Sequence, residues 1–144
     1  MSYTLTVNNG IGVIVLRAKQ PMTFNEIRMV FVEMVGLPGF KEGMCLVADF
    51  RGSGTSLSAD HVRELSVHAH HTDSAWGVTK WAFLASDNLM YGLSRMFGTL
   101  TDRHQVTTHV FRTVTEADGW LGIGIEMDEI LERTPEGLTG SRPA

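Results

Sequence analysis

Met44-Cys45-Leu46-Val47-Ala48-Asp49-Phe50-Arg51-Gly52-Ser53-Gly54-Thr55-Ser56-Leu57-Ser58 decides the fold. Residues 44–48 are an unbroken apolar run, the pattern of a strand buried on both faces. Asp49 and Arg51 end it. Gly52 to Ser56 is a polar loop, and Ser58 stands where it would cap a helix reaching about His71. A buried strand, a polar loop and a capped helix make half of a β-α-β unit. Such units gather ligands beyond the carboxyl ends of their strands.

The pattern repeats downstream. Residues 81–85 are a second continuous apolar run, hence another central strand. Ser86-Asp87-Asn88 caps a helix from Leu89 to about Leu100, with Leu89, Leu93, Met96, Phe97 and Leu100 expected inward. Val106, Thr108 and Val110 alternate as a strand nearer an edge. Thr115-Glu116-Ala117-Asp118 opens a short helix carrying Trp120 and Leu121.

Upstream, residues 3–7 alternate in period two, and Asn8-Asn9-Gly10 is a hairpin turn signal because Asn and Gly tolerate positive φ. Residues 11–16 form the second strand. Thr23-Phe24-Asn25-Glu26 is a capping box for a helix to about Val35, which Gly36-Leu37-Pro38-Gly39 stops. The order β-β-α-β-α-β-α-β-α predicts a single α/β domain with a mixed sheet, an N-terminal antiparallel hairpin followed by parallel strands. The domain is expected over residues 1–122. Residues 123–144 are expected to give a short amphipathic helix at 125–133 and a loose Pro- and Gly-containing tail.

The 144 residues suit one domain, and 43% apolar content allows a sizeable core. Lys+Arg 12 against Asp+Glu 16, a formal net charge of −4, argues against a general nucleic-acid binder, which needs a basic surface. No apolar run approaches the ~20 residues that span a bilayer. The N-terminus shows no basic flank of a secretory signal, so a cytoplasmic protein is expected. The single cysteine, Cys45, excludes an internal disulfide; within its apolar run it reads as a buried small hydrophobe, not a nucleophile.

Asp49-Phe50-Arg51-Gly52, Leu57-Ser58, the stretch Met90-Tyr91-Gly92-Leu93-Ser94-Arg95-Met96-Phe97, and the ending Val110-Phe111-Arg112 with Ala117, Trp120 and Leu121 resemble the SpoIIAA-like family. These are small bacterial proteins related to STAS domains and compared in fold with CRAL-TRIO lipid-binding domains. The resemblance runs in element order from Tyr3 to Leu121. It implies a protein-interaction or regulatory domain without catalysis, or a carrier of a small apolar or lipid-like ligand. STAS anti-sigma-factor antagonists are switched by phosphorylation of a serine in Asp-Ser-Ser-Gly. Leu57-Ser58-Ala59-Asp60 departs from that motif, and an N-cap role accounts for Ser58.

His61, Glu64, His68 and His71 share one face of the second helix. Imidazole and carboxylate are metal ligands, but this spacing is no established signature, and a solvated polar face explains it. No cofactor is called for: Gly52-Ser53-Gly54 lacks the lysine of a P-loop and the dinucleotide fingerprint. The strand-end residues are the candidate ligand or partner site: Arg51, Ser53, Thr55 and Ser58 after one strand, Ser86 and Asp87 after the next, Arg112 after the last. Arg51, Ser53 and Thr55 are expected at least partly exposed and close to Ser86 and Asp87. In the first helix, Phe24, Ile27, Phe31, Met34 and Val35 suffice for a core stripe. Met29, Val30 and Val32 lie off it and are the expected interface, to a second copy or to an apolar ligand that Met22, Met29 and Met34 would suit.

Overall fold

A computed structural model describes residues 3–71, 73–101 and 106–123. The expected helix at 125–133 and the tail lie outside the described residues. Five strands form one sheet in the order β1-β2-β3-β4-β5. β1 (Tyr3–Asn8) and β2 (Val13–Ala18) pair antiparallel. β3 (Cys45–Asp49), β4 (Thr79–Leu84) and β5 (Val106–Phe111) then add in sequence, each parallel to the strand before it. The mixed α/β sheet expected from the apolar runs is present.

The second strand starts two residues later than expected. Gly12, at φ +71°, takes the left-handed position of the turn, and its N–H donates to Asn8 O at 3.0 Å, so Ile11 falls in the turn.

Three crossover helices follow the parallel strands: α1 (Phe24–Val35), α2 (Ala59–His70) and α4 (Asn88–Thr101), with a four-residue α3 (Asp73–Trp76) before β4. Sequential parallel strands joined by right-handed crossovers set all three long helices on one face. The main core lies there: Ile14, Leu16, Leu46, Trp81 and Phe83 of the sheet against Phe31, Leu65 and Phe97 of the helices. The other face carries a smaller cluster, Val13, Val15, Val47, Ala82 and Leu84, with Val114 and Ala117 of α5 (Val114–Leu121). The strand α5 follows ends at Phe111, and Thr113, not Thr115, caps α5 by accepting from Glu116 N.

The caps read at Thr23 and Ser58 both form. Thr23 accepts from Glu26 N, and the Glu26 carboxylate accepts from Thr23 N at 2.9 Å. Ser58 accepts from His61 N at 3.1 Å, and His61 Nδ1 accepts from Ser58 N. The inward face of α2 is Val62, Leu65, Ser66 and Ala69, as expected.

Three further expectations need correction. Val30 is 1% exposed and belongs to the core, while Phe24 and Val35 are only half-buried. Of the residues assigned to an interface, Met29 and Val32 alone face outward. α4 is rotated from the expected orientation: it buries Met90, Ser94, Phe97, Gly98 and Thr101, and leaves Leu89 and Leu100 exposed. Gly98 explains the rotation. A Cβ there would stand 2.9 Å from Thr108 O, so only a small face lets α4 lie this close to β5. Finally, Cys45 at the start of β3 is half-buried, not enclosed, because it sits at the margin of the smaller cluster.

Candidate functional site

The carboxyl ends of β2 to β5 meet at one edge of the sheet. Phe50 N donates to Leu84 O at 2.8 Å, and Ala85 N to Phe111 O at 3.0 Å, so the three loops leave side by side. Asp49, the last residue of β3, is 2% exposed. Arg51 closes on it in a two-pronged pair, Nε to Oδ1 at 2.9 Å and Nη2 to Oδ2 at 3.0 Å, and Arg51 N also donates to Oδ1. Arg17, at the end of β2, brings a second guanidinium to 3.7 Å from Oδ2. Parallel carboxylate–guanidinium bonds fix the Arg51 plane, and a buried carboxylate needs such partners.

The next link runs to β4 and β5. Gly52 N donates to Ser86 Oγ at 3.1 Å. Arg112 donates to Ser86 O at 2.9 Å and to Asn88 Oδ1 at 2.7 Å, and its guanidinium lies 4.3 Å from the centre of the Tyr91 ring. Asp87 Oδ1 accepts from Met90 N at 2.7 Å and so tends the start of α4. Arg51, Gly52, Ser86, Asp87 and Arg112 are therefore brought together, as expected.

Ser53 corrects the expectation of exposure. It is 7% exposed, because its hydroxyl turns inward and donates to the Phe50 and Gly54 carbonyls, each at 3.0 Å. Thr55 Oγ1 accepts from Leu57 N, and Ser58 pairs with His61, so both are engaged in their own segment. Most polar groups of this edge thus serve one another. Its chemistry is that of a braced strand end, with guanidiniums at its surface.

The expected solvated face of α2 holds at Glu64 and His71, which are exposed, and fails at its other two members. His61 stacks on Phe24 with ring centres 5.3 Å apart, and His68 meets the same ring edge-on at 6.2 Å; both are half-buried. Among the described residues no group of three or more His, Cys, Asp or Glu is placed to hold a metal ion. Among them, too, no helix is long and apolar enough to cross a membrane.

The sequence reading missed a groove of about 330 Å³ between α4 and β5. Tyr91, Arg95, Gly98 and Thr99 form its helix side, and Thr108 to Val110 its strand side. The signal that points to it is the spacing Ser94, Gly98, Thr101, a small-residue face that draws the helix onto the strand and sets Arg95 and Thr99 at the rim. A second cavity, about 40 Å³, lies inside the core between helices and sheet and is lined by apolar side chains such as Ile27, Leu46, Leu65 and Phe83. Comparison of the chain with family models, with curated proteins and with solved structures finds no match.

Proposed function

We propose that this chain is a non-enzymatic, STAS-like interaction domain that docks a protein partner on the outer surface of its α1–α2–α4 layer, a second copy being the simplest partner. One observation carries this reading. Six large hydrophobic side chains are exposed among the described residues, and five of them lie on those three helices: Met29 and Val32 on α1, Val67 on α2, Leu89 and Leu100 on α4. Scattered exposed apolar residues are ordinary, but a concentration on one layer marks a contact surface. α4 strengthens the point, because it buries Ser94, Gly98 and Thr101 and turns leucines outward.

A CRAL-TRIO-like carrier of an apolar ligand is the alternative. It would use the enclosed core cavity, but about 40 Å³ falls far below the ~300 Å³ or more of small-molecule sites. The contact reading therefore stands ahead.

Sedimentation velocity of the wild type beside Met29→Lys/Val32→Glu and Leu89→Lys/Leu100→Glu double variants tests it. A concentration-dependent wild-type dimer that at least one variant dissociates, with unchanged melting temperature, is the expected outcome. A wild type that stays monomeric at high micromolar concentration overturns self-association through this layer.

A further inference from the structure

We propose that the groove between α4 and β5 is a binding site for a small organic oxyanion, a carboxylate or phosphate monoester with a compact apolar body. It is distinct from the helix-layer surface and does not depend on it. Three features of the groove converge on this ligand.

Its volume, about 330 Å³, lies at the lower end of the range for small-molecule sites. Arg95 stands at its rim, exposed, with no acidic side chain among the described residues that line the groove. A guanidinium presents a planar fork that fits carboxylate and phosphate oxygens two at a time. Tyr91 forms one wall, and it is held in place: Arg112 lies on its ring at 4.3 Å and is itself anchored to Ser86 O and Asn88 Oδ1. That stack gives a ligand a fixed aromatic surface and adds a second positive charge nearby.

The two threonines of the groove offer the oxyanion no donor: one hydroxyl is closed to solvent and the other is engaged. Thr108 lines the strand side, is 7% exposed, and its hydroxyl has no hydrogen-bond partner among the described residues. A buried hydroxyl without a partner is disfavoured, and native structures keep few of them. Thr99, opposite, donates its hydroxyl proton to Arg95 O at 3.1 Å and so has none to give an oxyanion. The oxyanion would therefore pair with Arg95, and the ligand's body would lie between the Tyr91 ring and Val110. Neutral ligands gain nothing from Arg95.

The test uses the full chain, isotopically labelled, titrated by amide NMR with benzoate, phenyl phosphate and benzyl alcohol. The expected result is saturable shifts centred on residues 91–99 and 108–110 with one or both anions, and little response to the alcohol. Tighter benzoate assigns a carboxylate; tighter phenyl phosphate assigns a phosphate. Arg95→Gln, at an exposed position, should weaken the anion about tenfold or more, as loss of a charge-assisted bond does. Thr108→Val should raise the melting temperature of the free protein and leave the anion's affinity within about twofold. Equal binding of the alcohol, shifts centred elsewhere, no saturable shift at tens of millimolar anion, or unchanged affinity in Arg95→Gln overturns the proposal.

Discussion

Asp49 is the residue whose loss reaches furthest. Its carboxylate is 2% exposed and joins two arginines, Arg17 of β2 and Arg51 of the loop after β3. Removing the acid leaves two guanidiniums without it and frees the Arg51 N–H. Both arginine side chains are about a third exposed, 29% and 31%, so water takes up part of the loss. Asp49→Ala should therefore cost about 2–3 kcal/mol, below the ~3–5 of a wholly buried pair, read from the urea midpoint. Tyr3 gives a different signature. Its hydroxyl donates to Glu33 Oε1 at 2.9 Å. Burial first, then the bond to Glu33 and that residue's negative charge, push the phenol from 10.0 up to about 12. The folded protein thus holds this proton longer than the unfolded chain. The resulting stability is complete below pH 10 and is lost as pH rises toward about 12. Wild type should lose stability over that interval more steeply than Tyr3→Phe; equal slopes would show that Tyr3 contributes nothing to the alkaline limb.

At the scale of elements, α4 is the informative case. Its small face meets β5, and a methyl group at Gly98 would press on the Thr108 carbonyl at 2.9 Å. Backbone cannot yield as a side-chain tip can. Gly98→Ala should cost about 1–3 kcal/mol despite the better helix propensity of alanine, and its denaturation midpoint checks this. The same helix shows where sequence reading ends. The inward face of α2 was legible, since Val62, Leu65 and Ala69 stand against polar neighbours and one amphipathic solution exists. The caps of Thr23 and Ser58 were legible because capping is decided within four residues. α4 carries apolar residues on more than one side, and periodicity favours Leu89 and Leu100 over Ser94 and Gly98, although Leu93 does pack against the core as expected. Close packing decided otherwise. Ser53 was misread for a related reason: a short hydroxyl in a glycine loop reads as exposed, yet it bonds the loop's own carbonyls. The groove was invisible, because a gap between α4 and β5 is a property of their spacing and belongs to no local pattern.

For the whole molecule, the governing feature is that strand order in the sheet equals strand order in the chain. The strand-end edge and the helix layer were both legible from it, since parallel strands in succession force their loops to one end and their crossovers to one face. The order also bears on how the molecule comes into being. Each strand pairs with the one made just before it, so the domain can assemble as it leaves the ribosome, hairpin first, one crossover at a time. At every stage the newest strand is a bare rim awaiting its successor. That rim is most hazardous once β4 is made, for its Trp81 and Phe83 belong to the core and its outer backbone groups have no partner until β5 arrives. A nascent chain halted within α4 would hold that adhesive border open to its neighbours, and completion of β5, with α4 lying close over it at Gly98, is the step that seals it.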